Sequence, residues 1–289
     1  MRFCLMLSLV IGCGGKTDAG SGSVSDTGTP PAPWRKVSAG QAHSCGVDRE
    51  GRAGCWGRDH YGQSTVPLYD LVEVATGLGH TCGLQPDGEI ACWGLDLSGQ
   101  STPPDLPLAT ITAGSAHTCG LDADGVAQCW GADEYEQGSA KPGTFDALSA
   151  GGWHNCGVRS SGKVICWGWA EYGQATAPSG DFASVDGGGW HTCGIRKNGS
   201  LDCWGDNISG QLEAPTGTFT QVSAGWHHSC AIATDGTVSC WGWDEDGQST
   251  PPTGTFSQIS AGDWHTCGIR DEGEMVCWGQ DDYGQSTPL

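Results

Sequence analysis

A unit of 37 residues is repeated seven times along this chain, and this repeat constrains the fold more than any other feature. One copy begins at His43 and reads HSCGVDREGRAGCWG. The aligned histidines follow one another at intervals of 37 residues without drift: His43, His80, His117, His154, His191, His228 and His265. Such a regular period over most of 289 residues indicates one array of stacked structural units rather than two unrelated domains.

Two cysteines ten residues apart accompany each histidine. The pairs are Cys45/Cys55, Cys82/Cys92, Cys119/Cys129, Cys156/Cys166, Cys193/Cys203, Cys230/Cys240 and Cys267/Cys277. Each unit therefore holds three residues of types that bind zinc, but zinc would need a fourth ligand and usually takes cysteines two to four residues apart. Evenly paired cysteines in an exported chain favour disulfides. We predict one disulfide per unit, with zinc as the alternative.

Within each unit, apolar and β-branched residues alternate over short runs that Gly or Pro separates, which is typical of β-strands. The last unit predicts strands near 257–261, 265–269 and 274–278. The segment from Asp48 to Gly51 fits a type I turn with a glycine bulge, which pairs Asp48 with Arg52. This register places Cys45 opposite Cys55 in a non-hydrogen-bonded pair, with Cα atoms about 4.5 Å apart.

Seven small sheets must bury both faces and protect their edges, and radial stacking into a ring achieves this. We expect the tryptophan of each CWG motif to pack against the neighbouring unit. The chain ends at Leu289, three residues short of completing the seventh period. We predict an all-β fold over residues 34–289: a closed seven-bladed β-propeller with short antiparallel blades.

The repeated histidines and one altered glycine lead to two further expectations. No acid or nucleophile consistently accompanies the histidines, so we expect each imidazole to bond backbone at the corner between the first two strands rather than to act in catalysis. The third unit has Glu136-Gln137 where the others have Gly-Gln. If that glycine requires a positive φ, we expect the loop to be reshaped.

The N-terminal segment differs from the repeats. Residues 1–12 have a short apolar run after Arg2, as in a secretory signal peptide, and are too short to span a bilayer. Val10 to Cys13 resemble a bacterial lipoprotein box, which predicts lipidation at Cys13, with plain secretion or an unprocessed anchor as alternatives. Residues 13–33 form a predicted Gly/Ser/Thr/Pro-rich flexible linker. We expect an exported protein of the cell envelope, as an outer-membrane lipoprotein or at the cell surface.

The chain is strongly acidic, with 13 Lys and Arg against 33 Asp and Glu and a net charge of −20. Such a surface repels phosphate groups, so we expect no nucleic-acid partner and membrane contact only through the lipid anchor. A basic protein or a neutral glycan is compatible with this charge. We expect a monomer that needs no metal or other cofactor.

The pattern VSAGxxHxCGVxxxGxVxCWGxxxxGQ resembles the repeat of the regulator-of-chromosome-condensation superfamily over about 256 of 289 residues. The uninterrupted 37-residue version is most similar to bacterial members, which include a secreted β-lactamase inhibitor. The resemblance implies a propeller that binds another protein and is not an enzyme. The eukaryotic exchange factor of this superfamily has longer repeats and a hairpin wedge that this chain lacks.

Function is expected where the units differ. The two residues before each histidine and the loop after each CWG should share one face of the propeller. The predicted partner-binding residues on this face are Trp153, Trp169, Tyr172, Trp190, Trp226, His227, Trp243, Trp264 and Tyr283. Tryptophan and tyrosine are favoured anchors of protein interfaces, and they also stack on sugars. A lectin-like glycan-binding propeller and a polysaccharide-acting enzyme are therefore the alternatives.

Overall fold

The computed structural model describes residues 33–67 and 70–289. The predicted signal peptide, Cys13 and the linker up to residue 32 lie outside the described residues. Every regular element in the described part is a β-strand.

The 21 strands follow one another in groups of three. They are β1 (Trp34–Ala39), β2 (His43–Asp48), β3 (Ala53–Gly57), β4 (Glu73–Thr76), β5 (His80–Leu84), β6 (Ile90–Gly94), β7 (Thr110–Ala113), β8 (His117–Leu121), β9 (Ala127–Gly131), β10 (Ala147–Ala150), β11 (His154–Val158), β12 (Val164–Gly168), β13 (Phe182–Gly187), β14 (His191–Arg196), β15 (Leu201–Gly205), β16 (Phe219–Ala224), β17 (His228–Ala233), β18 (Val238–Gly242), β19 (Phe256–Ala261), β20 (His265–Arg270) and β21 (Met275–Gly279).

Each group of three strands forms one antiparallel sheet, here called a blade and numbered 1 to 7 in chain order. The order within each blade is first, second and third strand, so the second strand lies in the middle. The predicted strands of the last unit are confirmed, with shifts of one residue at their ends.

The hairpin between the second and third strand has the predicted register. The Asp48 amide donates to the Arg52 carbonyl at 2.9 Å, and Cys45 lies opposite Cys55. Gly51 adopts a φ of 87°, as a glycine bulge requires.

Disulfides join all seven predicted pairs of cysteines. They are Cys45–Cys55, Cys82–Cys92, Cys119–Cys129, Cys156–Cys166, Cys193–Cys203, Cys230–Cys240 and Cys267–Cys277. The Cα atoms of each pair lie 4.0–4.1 Å apart, so the expected spacing was too long, because the bond between the sulfurs draws the two strands together. Since the sulfurs are bonded to each other, the zinc alternative is excluded.

The two cysteines of a bridge differ in burial. The cysteine on the second strand of every blade has no solvent exposure, and Cys55 on the third strand of blade 1 is 9% exposed. The other third-strand cysteines are only partly buried: Cys92, Cys129, Cys166, Cys203, Cys240 and Cys277. Each of them packs against an apolar cluster of its blade and a neighbouring blade. The bridges are therefore part of the packed framework.

The apolar core lies between the blades rather than within them. Cys45 and Val47 of blade 1 pack against Leu71 and Val74 of blade 2, and similar clusters fill the other junctions. Between blades 7 and 1, Trp56 packs against Ile269. The first strands β1 and β19 also contact each other. Each blade therefore contacts two neighbours, as in a propeller.

Each histidine joins its blade to the next one, and here our expectation was wrong. His43 Nε2 lies 2.9 Å from Thr81 Oγ1 in blade 2, so it bonds a side chain of the next blade rather than backbone of its own corner. The Thr81 hydroxyl donates to the Gln63 carbonyl at 2.9 Å, and therefore Nε2 is the protonated nitrogen of His43. Trp93 Nε1 donates to the same carbonyl, as expected for a tryptophan packed between blades.

The same hydrogen bonds occur where blade 7 meets blade 1. His265 Nε2 lies 2.6 Å from Ser44 Oγ, and the Ser44 hydroxyl donates to the Gln285 carbonyl at 3.2 Å. Trp56 Nε1 donates to that carbonyl at 2.9 Å. The first and last repeats thus meet through the contacts that join successive repeats.

Polar side chains from neighbouring blades accept backbone amides along the free edges of first strands, which would otherwise expose unpaired backbone groups. The amide of Thr76 donates to Ser38 Oγ of the preceding blade at 3.0 Å, and Ala150 donates to Thr112 Oγ1 at 3.0 Å. The junction between blades 2 and 3 differs, since Ala75 has no side-chain acceptor to offer the Ala113 amide.

We expect Ala75→Ser to raise the free energy of unfolding by about 1 kcal/mol, because the new hydroxyl can accept the Ala113 amide. Urea unfolding followed by circular dichroism would measure this change. The reverse substitution, Ser38→Ala, is the matched control and should lower stability by a similar amount. An unchanged or lower stability of Ala75→Ser would contradict this account of the edge.

The loop of the third repeat keeps the shape of the others, so the expected reshaping was wrong. Glu136 has a φ of 65°, close to the 80° of its equivalent Gly62. A Cβ placed on Gly62 meets no atom within 4 Å, so the loop has space for a side chain at this position. The cost at Glu136 is therefore conformational rather than steric.

We expect Glu136→Gly to raise the free energy of unfolding by about 1 kcal/mol, because glycine adopts positive φ without penalty. Loss of the exposed Lys141–Glu136 ion pair should subtract little from this gain. The urea midpoint is the measurement, and Glu134→Gly, elsewhere in the same loop, is the control. A lower midpoint for Glu136→Gly would show that the left-handed conformation carries no cost here.

Candidate partner-binding face

The variable residues of each repeat meet at one end of the blades. The Trp169 amide, after the third strand of blade 4, donates to the Trp153 carbonyl, just before the second strand, at 2.9 Å. Trp243 and His227 make the equivalent bond in blade 6 at 3.0 Å. The residues before each histidine and the loop after each CWG are therefore neighbours on one face, here called the corner face.

Nine aromatic rings of blades 3 to 7 form a continuous chain of contacts on the corner face. This set, here called the aromatic arc, comprises Tyr135, Trp153, Trp169, Tyr172, Trp190, Trp226, His227, Trp243 and Trp264. Ring centroids of contacting members lie 5.2–6.4 Å apart, within the range of favourable aromatic pairs. The structure thus brings together eight of the nine predicted residues.

Tyr283 is the exception, because it lies at the junction of blades 7 and 1. Arg58 lies over its ring, with the guanidinium carbon 5.4 Å from the centroid. The equivalent of Arg58 three blades later is Trp169, which instead contacts Tyr135 at 6.0 Å. This contact adds Tyr135 to the arc, although the sequence only marked it as one of several loop tyrosines.

The arc is partly open to solvent. Tyr135 and Tyr172 are 48% and 46% exposed, and the tryptophans are half-buried against one another. Two aliphatic side chains at the tips of the same type of loop are more exposed, Leu97 at 88% and Ile208 at 81%. The loops of the corner face therefore expose both aromatic and aliphatic side chains.

Two polar atoms inside the arc have no hydrogen-bond partner among the described residues. They are Trp190 Nε1, a donor, and His227 Nδ1. Burial lowers the pKa of His227, against the opposing effect of Asp206, so its imidazole is neutral at pH 7. Both atoms are buried from solvent by the surrounding rings.

Exposed carboxylates surround the arc. They include Glu134, Glu171, Asp244 and Glu245. Asp244 also stabilises its loop, since it accepts hydrogen bonds from the Ser249 amide and the Thr250 hydroxyl, both at 2.7 Å. The described residues include no group of three or more His, Cys, Asp or Glu side chains arranged to hold a metal ion.

Sequence analysis missed a cavity of about 260 Å³ at the centre of the ring, lined by the seven first strands and the corners that follow them. Four charged side chains line it: Lys36, Glu73, Asp186 and Asp263. Burial raises the pKa of both Glu73 and Asp186, and that of Asp263 to about 7. The available signal was that Asp186 and Asp263 stand at repeat positions that are neutral in the other six units, while Lys36 and Glu73 share one position that is neutral in the other five.

No cysteine of the described residues lines the central cavity. Cys166 alone among the third-strand cysteines borders a shallow hollow, beside Tyr135 and Ala170. The other partly buried ones contact neither that hollow nor the cavity: Cys92, Cys129, Cys203, Cys240 and Cys277. The sequence predicted these five cysteines as disulfide residues. Each of them closes the hairpin of its own blade and lines neither the cavity nor the hollow.

Six segments of the chain match the family model for the regulator of chromosome condensation (RCC1) repeat: residues 34–63, 109–137, 145–174, 182–211, 219–248 and 256–285. They cover more than half of the chain, and the chain belongs to this family of β-propeller proteins. The resemblance of the repeat pattern to the regulator-of-chromosome-condensation superfamily is thereby confirmed. No curated protein sequence matches the chain.

Solved structures with this fold include two plant receptor ectodomains. The ectodomain of the Physcomitrella patens receptor kinase CR4 is 27% identical, with a TM-score of 0.74 over 86% of this chain and 74% of that chain. The WD40 ectodomain of the Arabidopsis thaliana receptor kinase ACR4 is 26% identical, with a TM-score of 0.71 over 86% and 97%. Prp20p from Saccharomyces cerevisiae, 16% identical, has the same fold, with a TM-score of 0.71 over 80% of each chain.

The seven disulfides and the similarity to an ectodomain point to an extracellular or secreted protein. In the part of the chain that the structure describes, no helix has the length and apolar character needed to cross a membrane.

Proposed function

We propose that this protein is a non-enzymatic, exported binding module that holds a protein partner on the corner face of a closed seven-bladed propeller. The observation that carries the proposal is the continuous aromatic arc, because partly exposed tryptophan and tyrosine are the residues that most often anchor protein interfaces. The framework residues repeat in every blade, whereas the arc occupies only blades 3 to 7.

Two aliphatic side chains favour a protein over a glycan. A sugar ring can stack on tryptophan, but it gains little from an isolated aliphatic side chain. Leu97 and Ile208 are more than four-fifths exposed at loop tips of the corner face, and a protein partner would bury them together with the arc. The RCC1-repeat protein Prp20p is described with binding to Gsp1p and histones, which are themselves proteins.

Attachment of the module to the cell envelope through lipidated Cys13 stays part of this proposal. It is supported by the sequence from Val10 to Cys13 and by the composition of residues 14–33, which suits a flexible tether.

Partner capture from envelope and culture extracts tests the proposal. We expect a variant with Trp153, Trp190, Trp226 and Trp264 changed to Ala to retain at least about tenfold less of the partner than the unchanged protein does. Circular dichroism and thermal unfolding would verify that this variant is folded. The matched control carries Glu50→Ala, Asp124→Ala and Lys163→Ala on the hairpin turns at the opposite end of the blades, and it should bind normally.

The outcomes separate the possible functions. A protein retained by the unchanged chain and by the control, but not by the tryptophan variant, supports the proposal. Release of the bound material by free sugars would favour the glycan-binding alternative. Equal capture by both variants would show that the arc merely fills the junctions between blades.

A further inference from the structure

The loop after each CWG motif forms a β-turn, and the first central residue of this turn is here called the tip of the loop. In blade 3 the Glu136 amide donates to the Asp133 carbonyl at 3.1 Å, which makes Glu134 the tip. The equivalent bond in blade 6, from Gly247 to Asp244, measures 3.3 Å. The seven tips lie on the corner face, and all are exposed: His60, Leu97, Glu134, Glu171, Ile208, Glu245 and Asp282.

The loops contain two kinds of acidic residue, and only one kind stabilises the loop. The aspartate before the tip accepts hydrogen bonds from its own loop. Asp281, for example, accepts the Ser286 amide at 2.7 Å and the Thr287 hydroxyl at 2.8 Å. The four acids at the tips make no hydrogen bond or ion pair with another described residue: Glu134, Glu171, Glu245 and Asp282. The structure of the loop therefore does not account for these four.

The tip acids lie beside the aromatic arc. They stand in blades 3, 4, 6 and 7, whereas the arc occupies blades 3 to 7. Glu134 and its neighbour Tyr135, a member of the arc, line the same shallow hollow. The tip of blade 5, between the acidic ones, is Ile208, which is 81% exposed. The face that carries the arc thus combines apolar side chains with carboxylates that have no partner within the described part of the chain.

The two ends of the blades differ in charge. The four residues after each CWG motif include eleven Asp and Glu and a single cation, Arg58. The five residues of each hairpin turn, from 48–52 in blade 1 to 270–274 in blade 7, include ten Asp and Glu and seven Lys and Arg. The negative charge is therefore concentrated on the corner face, and cations largely balance the acids at the opposite end.

We propose that the protein partner presents a basic surface, in which lysine and arginine side chains surround an apolar centre. This inference rests on the proposed function and specifies the chemistry of the partner. The aromatic arc and Ile208 bury the apolar centre, and the tip acids pair with the cations around it. Complementary charges at the rim of an interface accelerate association and exclude partners of the wrong charge. An acidic protein would be repelled from this face.

Two peptide probes test the inference on the full chain. The first is acetyl-Arg-Leu-Arg-Phe-Arg-Leu-Arg-amide. In the second, citrulline replaces every arginine, which keeps the shape of the side chain and removes its charge. Fluorescence anisotropy of the peptides, each with an uncharged dye, should show at least roughly tenfold tighter binding of the arginine peptide in about 0.05 M salt. Raising the salt concentration to about 0.5 M should remove most of this preference.

Two variants of equal charge locate the effect. The tip variant carries Glu134→Gln, Glu171→Gln, Glu245→Gln and Asp282→Asn. The turn variant carries the same types of change at exposed acids of the hairpin turns, Glu50→Gln, Glu89→Gln, Glu272→Gln and Asp124→Asn. Each variant loses four negative charges, so the two differ only in where the charges are lost. The tip variant should lose the preference for the arginine peptide, and the turn variant should keep it within about twofold.

Other results would overturn the inference. Equal binding of the two peptides, no binding of the arginine peptide, or equal losses in the two variants would mean that the tip acids select no basic partner. The captured protein partner separates this inference from the proposed function. If the partner binds the tip variant as tightly as the turn variant, but does not bind the four-tryptophan variant, the basic surface is wrong while the proposed function stands. Normal binding to the four-tryptophan variant would instead contradict the proposed function itself.

Discussion

Lowering the pH from about 7 to about 5 should reduce the free energy of unfolding by an amount on the order of 10 kcal/mol. The cause is the set of seven histidines that join the blades. All seven are fully buried, and burial lowers the pKa of His43 and His117 to about 4 and that of the other five to about 3. In the unfolded chain a histidine has a pKa near about 6.5.

The sign follows from which state binds more protons. Between about pH 6.5 and about pH 4 the unfolded chain is protonated at these histidines and the folded protein is not, so stability is present above pH 6.5 and falls with the pH. At about pH 5 each histidine contributes about 2 kcal/mol to this loss. Glu73, Asp186 and Asp263 act in the opposite direction because their pKa values are raised, but they are fewer.

Urea unfolding at about pH 7, 6 and 5, with the disulfides intact, would measure this dependence. His154→Gln should reduce the slope of stability against pH by about one proton, whatever its effect on stability at pH 7. His60→Gln, which removes an exposed histidine, is the matched control. Stability that does not vary across this range would show that the histidines are not held neutral.

Reduction of all seven disulfides should lower the free energy of unfolding by roughly 15–20 kcal/mol, at about 2–3 kcal/mol for each short loop. Each bridge closes a hairpin with a sequence separation of 10 residues. Since a typical domain is stable by about 5–15 kcal/mol in total, the reduced chain should not stay folded. One cysteine of every pair is fully buried, so reduction should require prior opening with a denaturant.

Circular dichroism of the reduced and alkylated chain tests this expectation, and the chain treated with the alkylating agent without reduction is the control. The double variant Cys82→Ser/Cys92→Ser should lose the contribution of one bridge only. A reduced chain with an unchanged thermal transition would contradict the prediction. Refolding of the reduced, unalkylated chain on addition of zinc would instead support the zinc alternative, with His43, Cys45 and Cys55 as ligands.

Short-range chemistry explains what the sequence predicted well. The turn from Asp48 to Gly51 fixes the pairing of Asp48 with Arg52, and this pairing alone places Cys45 opposite Cys55. The alternation of cysteine and tryptophan around each third strand likewise placed the tryptophans between blades. Such features depend on residues within one hairpin, so no knowledge of the ring was needed.

Contacts between repeats could not be derived in the same way. The partner of His43 is Thr81, 38 residues later, and only the packing of one blade on the next brings them together. Tyr135 and Tyr283 occupy equivalent positions, and their different surroundings depend on whether the following blade supplies Trp169 or Arg58. The central cavity requires all seven first strands at once, so no single repeat indicates it.

The most direct test of the central claim is site-specific photo-cross-linking in cells that produce the full chain. A photoreactive residue would replace Ile208 on the corner face, and in a second protein it would replace Glu50 on a hairpin turn at the opposite end. We predict a cross-linked protein partner from position 208 and none from position 50. Cross-linking from position 50 alone, or equally from both positions, would contradict the assignment of the binding site to the corner face.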